Sequence, residues 1–567
     1  MRTVISLVLL SIAFVVRAQI FEPTHYPSSY FRNPLNIPMS LSGNFGELRP
    51  NHYHMGLDIR TNKVQNLVVY AAADGYIARI KIEPFGFGRA IYINHPNGLT
   101  TVYAHLNNFF PELEQYVKEK QYAQQSWSIF ITIPPDLFPV KEGTFIAYSG
   151  TTGGSQAPHL HFEIRKTSLD QNLNPMLFAL PIPDHISPVI QRLVIYDRTK
   201  SIYEQTPRFL DTRRAGNNFN ISQGLAVVSS PMISFGISAF DTQTGSTNHN
   251  GIYEADLLVD NNPVIGFRMN EISYLDTRNV NAHIDYKTKA IYGPYIQLLS
   301  NLPGYHNSIY KKVSGDGTID LSDGKTRKVK IDVYDAYGNK SILQFSVRYN
   351  GNKNQGAPVA GKLFSPMMVD GFESSECEFY LGENSLYDSA HIAYSTAPAT
   401  LEGVSAIHTI GSITVPLAEA FTVRIKPTRT LSDVERSRTV MQRFASESKE
   451  VRKVEWNNGW AKANFMDFGS FQLLIDTEPP QIIPVDFQDG DNLAKSSRLV
   501  IAVKDNNGQY RNFRAELDGA WLRFTNDKAK SFIYNFDEKC SKGEHQLKIS
   551  VEDEAGNKAE RVFHFVR

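Results

Sequence analysis

Only two cysteines, Cys377 and Cys540, occur in 567 residues. That rules out a disulfide framework or a cysteine-clustered zinc centre, and both side chains are expected to be buried thiols. Charge of either sign is in no excess: 58 Lys and Arg balance 58 Asp and Glu. There is no net field to hold nucleic acid or anionic lipid, so no nucleic-acid partner is expected. Long hydrophobic runs are absent except at the start, where Arg2 precedes an apolar stretch over residues 4–16. That stretch is shorter than the ~20 residues needed to span a bilayer, and Val16-Arg17-Ala18 supplies a small-residue cleavage site. Residues 1–18 therefore read as a signal peptide. Cleavage would leave no transmembrane segment, and the protein is expected to be exported, either periplasmic and envelope-associated or secreted. An HExxH motif is also missing, which excludes the division of labour in which its glutamate serves as general base.

What is present is an ordinary globular composition, 42% hydrophobic and 20% charged, in a chain too long for one core. Over residues 67–106 short β-rich runs alternate with turn signals (LVVYAAADG, YIARIKIEPFGFG, RAIYINHPNG, LTTVYAHL), which predicts an antiparallel sheet. PELEQYVKEKQYAQ (111–124) spaces Leu113, Tyr116 and Val117 helically after a proline suited to a helix start. Its KEKQ stretch reads as a wet helix face. HLHFEI alternates as a strand.

Beyond residue 185, strands separated by polar turns every 8–12 residues predict β-sandwich modules. Three short strings recur there: DHISPVI (184–190) with DTEPPQI (476–482), FGISAFD (235–241) with LVIAVKD (499–505), and VYDAYGNKS (333–341) with VEDEAGNKA (551–559). The division expected is a signal peptide (1–18), a catalytic domain (19–184), an immunoglobulin-like sandwich (185–349), a linker (350–362), a β-rich domain (363–477) and a second immunoglobulin-like sandwich (478–567). The fold class is mainly β. Residues 430–445 are compatible with a helix or a loop.

Chemistry concentrates in three segments. NHYHMGLDIRT (51–61) sets His54 and Asp58 four apart around Gly56, and in extended chain the three share a face, the glycine leaving room for an ion. APHLHFEI (157–164) sets His159 and His161 two apart on one strand face, with Leu160 and Phe162 turned to the core. One imidazole from each segment plus a carboxylate makes the three-ligand open zinc site used in catalysis. TTVYAHL (100–106) adds His105, with Tyr103 placed on the same strand face. His52 reads as a solvated turn residue and His95 as a structural one in the turn HPNG.

The strings HMGLD, AADGYIARI, INHPNGLTTVYAHL and SGTTGGSQAPHLHFEI, in this order over residues 40–180, resemble the lysostaphin-type zinc metallopeptidases, which cut peptide cross-links of bacterial peptidoglycan. The resemblance implies Zn²⁺ held by His54, Asp58 and His161, with His105 and His159 beside the bound water as the catalytic pair. Two departures stand out: Ala157 precedes Pro158 where glycine is common, and residues 109–140 are longer than in compact members. The function expected is an exported zinc endopeptidase acting on peptidoglycan stem or bridge peptides. The alternatives are a non-catalytic envelope regulator or scaffold on the same fold, or a zinc peptidase of protein substrates.

Overall fold

A computed structural model describes residues 20–305, 309–352 and 358–567. The signal peptide expected at residues 1–18 lies outside the described residues, as do residues 353–357 of the expected linker. The chain is mainly β, 46% strand and 8% helix. Among the described residues no helix is long and apolar enough to cross a membrane.

The N-terminal part is built on one sheet whose strands run in the order Leu41–Gly43, Leu57–Arg60, His159–Lys166, Leu99–Ala104, Arg89–Asn94, Gly75–Ile82 and Ile129–Thr132. Strict alternation divides its central strand between two environments. Leu160, Phe162 and Ile164 are fully buried in the main core, packed with Ile59, Ile91 and Tyr103. His159, His161 and Glu163 take the opposite face, where Tyr92, Val102 and Ala104 form a small apolar floor. The register sets His161 directly across from Asp58 on one side and Ala104 on the other.

The helix forms at Pro111–Gln124, the proline occupying its first turn and Gln125 ending it in the left-handed conformation. Leu113 and Val117 are buried beneath it. The KEKQ stretch is wet only in part: Glu119 and Lys120 are exposed, but Lys118 and Gln121 are not. Lys118 pairs with Asp537 at 2.8 Å and with Glu538 at 2.7 Å, and Gln121 is buried and accepts from Arg523 at 2.9 Å. The long 109–140 region is thus a platform on which the C-terminal β unit docks.

Residues 189–349 contribute an eleven-stranded hydrogen-bonded sheet, in which Asn218–Val228 and Lys340–Tyr349 run parallel. Residues 370–475 form two five-stranded sheets, and residues 481–566 a three-stranded and a five-stranded sheet. Within 430–445 a capped helical turn, Asp433–Ser437, gives way to the strand Thr439–Ala445. Cys377 and Cys540 are buried free thiols.

The N-terminal sheet and its neighbour are physically continuous. Gln171–Leu173 pairs with Glu271–Ile272, and Phe45, Tyr53 and Met55 are buried in the core of the following β units rather than in their own.

Candidate metal centre

His54 lies between Tyr53 and Met55, whose side chains are buried in the core of the following β units and whose backbone is held on both sides. The Tyr53 amide donates to Thr277 Oγ1 at 3.0 Å, and the Met55 carbonyl accepts from Asn172 at 2.8 Å. This fixes the backbone on either side of His54. Asp58 sits in the strand Leu57–Arg60 and His161 is its cross-strand partner. Gly56 does not make space for an ion. A Cβ there would meet the Phe162 carbonyl oxygen at 2.5 Å, Glu163 Cγ at 2.8 Å and His161 Nε2 at 3.0 Å, so its role is to let the two strands close.

The hydrogen bonds around the two imidazoles determine where their lone pairs point. His54 Nδ1 is 2.8 Å from the Asn44 carbonyl, which only accepts, so Nδ1 carries the proton and Nε2 the lone pair. His161 Nε2 is 2.9 Å from Glu163 Oε1 and donates to it, leaving its Nδ1 lone pair free. Glu163 is fully buried and held as a carboxylate. Burial opposes this, but Arg165, donating from Nε, with His161 and the Tyr274 hydroxyl holds it down to about 2.

The two imidazole lone pairs meet at Asp58 Oδ1. His54 Nε2 is 3.0 Å and His161 Nδ1 2.9 Å from that oxygen, and the two nitrogens are 3.0 Å apart. Asp58 Oδ2 is tied to Arg49 at 2.5 Å. Three electron-pair donors in a buried triangle need a positive charge between them. The same demand acts on the groups themselves. Against the opposing effect of burial, Asp58 and Glu163 pull His161 up to about 9, and Asp58 is held well below the usual carboxylate range by the three histidines around it. Burial holds His54 down to about 4, so it stays neutral. A divalent cation meets the demand directly, and the triangle's edges approach the ~3.3 Å expected between tetrahedral ligands bonded at about 2.0–2.1 Å. His54, Asp58 and His161 are therefore a group able to hold a metal ion.

His105 and His159 flank this triangle. Their rings are 4.8 Å apart, and that of His105 is 5.8 Å from that of His161. Each is oriented by a backbone carbonyl at 2.8 Å from Nδ1, Thr152 for His105 and Ala157 for His159, which turns both Nε2 atoms toward the triangle. Burial, with His161 and His159 adding to it, pushes His105 down to about 3. His159 Nε2 is 3.3 Å from Asp58 Oδ1, and His159 is the only one of the five that is not buried. His105 and Tyr103 do not share a face. His105 adopts φ +60° in the break between two strands, which turns its ring into the site while Tyr103 packs edge-on against Phe162 in the core.

His52 is exposed and bonds only the Pro50 carbonyl, and His95 is buried between Asp74 and Thr101, as their contexts predict. Glu163, Arg49, Arg165 and Tyr274 were not anticipated. Glu163 was legible, since it continues the 159–161 parity by two residues. Arg49 reaches the site from the short strand Leu48–Arg49 and Tyr274 from the 3-10 turn Tyr274–Asn279, where the sequence carries no such signal.

The fold and this donor set define a metallopeptidase domain. Residues 52–124, which include His54, Asp58 and His105, match the model of Peptidase family M23, and residues 362–476 match that of a Zu5-like domain. The chain thus carries an M23, lysostaphin-type peptidase domain near its N-terminus. It is 35% identical over 131 residues to the DD-carboxypeptidase/endopeptidase Mpg of Neisseria meningitidis, covering 23% of this chain and 24% of that one. It is 28% identical over 151 residues to the cell division protein DipM of Caulobacter vibrioides, covering 27% and 19%. The chain therefore spans about a quarter or less of the length of these relatives. Among solved structures, the catalytic domain of lysostaphin from Staphylococcus simulans is 24% identical, with 24% of this chain and 88% of that one covered and a TM-score of 0.19.

Proposed function

We propose that the chain is an exported zinc endopeptidase that hydrolyses peptide cross-links of bacterial peptidoglycan, with His54, Asp58 and His161 as metal ligands and His105 and His159 as the catalytic pair. One observation carries this reading. The tautomers of His54 and His161 are fixed so that both lone pairs converge on Asp58 Oδ1, while two further imidazoles stand alongside with Nε2 turned toward the triangle. Zinc in such a three-ligand site supplies an acidified water and polarises the scissile carbonyl. His54 and His161 hold their positions through Asn44 and Glu163. His105 and His159, each turned by a backbone carbonyl at Nδ1, accept a proton at Nε2 as water adds to the peptide carbon. They return one to the departing amine nitrogen as the C–N bond breaks. The substrate class rests on the resemblance of the whole motif series and on relatives named as a DD-carboxypeptidase/endopeptidase and a cell division protein. Residues 185–349, 363–477 and 478–567 are read as the β modules, the first and last immunoglobulin-like, that position the catalytic unit in the envelope.

The test is digestion of isolated sacculi with and without chelator, with the fragments identified by mass spectrometry. Chelator-sensitive release of cross-link peptides is expected. His161→Ala loses both metal and turnover, whereas His159→Ala keeps the metal and loses turnover by at least about a hundredfold. Metal-loaded protein that cuts no wall peptide refutes the proposal.

A further inference from the structure

The three strings that recur between the second and last β units each contribute one aspartate to a single point. Asp184 opens the first string, Asp241 closes the second and Asp335 lies in the third. Their counterparts are Asp476, Asp505 and Asp553. In each unit the three carboxylates gather, with one oxygen from each within 4.8 Å of the others.

The first cluster is buried: Asp184 is 5% exposed, Asp241 2% and Asp335 2%. Asp335 is oriented by its own turn, accepting from the Tyr337 and Asn339 amides and from the Asn339 side chain. Asp184 Oδ1 accepts from the Ile186 amide at 3.1 Å, but its Oδ2 has no partner. Asp241 Oδ1 likewise has no partner, and the nearby Tyr337 hydroxyl is unpartnered too. Among the described residues no lysine, arginine or histidine is paired with any of the three carboxylates. Burying an unpaired carboxylate beside two others costs several kcal/mol unless a proton or a cation joins them, and burial with the neighbouring carboxylates pushes Asp241 up to about 8 in the absence of a cation.

The geometry points to a binding site for a hard divalent cation of the Ca²⁺ type formed by Asp184, Asp241 and Asp335. All the side-chain donors are oxygen, which excludes the nitrogen- and sulfur-preferring metals. A buried cradle of protein carboxylates suits Ca²⁺, with its 6–8 oxygens at about 2.3–2.6 Å, better than Mg²⁺, which keeps its waters.

The position of the site gives it a purpose. Asp184 lies in the segment that leaves the peptidase unit. Asp241 begins the loop whose Gln243 binds the Leu41 amide and Met39 carbonyl, and whose Gly251 pairs with the Asn44 side chain. Asn44 in turn orients His54. Ala336 and Tyr337, on the Asp335 turn, pack against the peptidase core. A cation here clamps the joint between the peptidase sheet and its neighbour. The second cluster occupies the equivalent joint, with Ala555 packed against Val440, Val451 and Leu474 of the preceding unit. There, however, Asn506 and Asn507 amides already hold the two oxygens of Asp476. Asp505 Oδ1 is unpartnered there too, but Asp505 is only half-buried, so that cluster is the weaker candidate and serves as the comparison.

The experiment titrates Ca²⁺ into the full chain after dialysis against a calcium chelator, following heat release and the thermal midpoint, with Tb³⁺ luminescence excited through tyrosine as a direct readout of the ion. Saturable binding, a raised midpoint and Tb³⁺ emission displaced by Ca²⁺ are expected. Asp241→Asn should weaken binding at least tenfold, and Asp505→Asn should leave it unchanged. Where Asp241→Asn folds poorly, Asp184→Asn supplies the same test. Absence of saturable Ca²⁺ binding in the wild type, or unchanged binding in a folded Asp241→Asn variant, overturns the proposal. Neither outcome bears on the peptidase reading, which depends on a separate set of ligands.

Discussion

Glu163 shows how much of the metal centre lies behind its ligands. The carboxylate is fully buried, accepts from His161, Arg165 and Tyr274, and thereby decides which nitrogen of His161 faces Asp58. Glu163→Gln keeps an acceptor oxygen but removes the charge that strengthens the His161 bond and neutralises Arg165. Metal affinity should fall about 10–100-fold, as for other partners of metal-bound histidines. Competition with a chromophoric chelator measures this, and an unchanged affinity would assign Glu163 to packing alone. Asp58 has the corresponding support in Arg49, which occupies Oδ2 and leaves Oδ1 for the ion.

At the scale of elements, the site depends on two strands lying close enough to bring Asp58 and His161 into register, and Gly56 sets that spacing. In Gly56→Ala the new methyl collides with the Phe162 carbonyl, which is backbone and cannot swing away. Overpacking of this kind costs about 1–3 kcal/mol. A thermal midpoint lowered by several degrees together with loss of bound metal is expected, and a variant with normal metal content would show that the strands tolerate separation. The period-two alternation of 159–163 and the helical spacing of 111–124 were readable because local pattern alone sets them. The face of His105 was not, because one left-handed residue cancels the alternation that assigned it. The partners of Lys118 and Gln121 were not either. A charged helix face looks solvated in sequence, and only tertiary structure brings Asp537 and Arg523 to it.

At the scale of the molecule, the catalytic unit is held together by the chain that follows it. The sequence boundary near residue 184 separates the motifs, but burial does not follow it. Tyr53 and Met55, on either side of His54, are 0% and 3% exposed because the following units cover them. The Tyr274 hydroxyl and the Thr277 side chain come from beyond residue 184 to hold Glu163 and Tyr53. From the other end, Asp527 accepts from the Gly153 amide at 2.7 Å and Lys528 donates to the Ser155 carbonyl, fixing the loop that orients His105. Thr525 and Asp527 also wall a cavity of ≈ 340 Å³ beside Thr152 and Trp127. A fragment of residues 19–184 would expose two large apolar side chains next to a metal ligand, losing about 1.5–3 kcal/mol for each of them. It should therefore be poorly soluble and bind zinc at least tenfold more weakly than the full chain, as measured by metal content after gel filtration and by chelator competition. Equal zinc affinity in a soluble fragment would mean that the following units serve only to place the enzyme. Weaker binding would mean that they complete the metal site, so that separating them from the peptidase sheet, for instance by proteolysis, would release the metal.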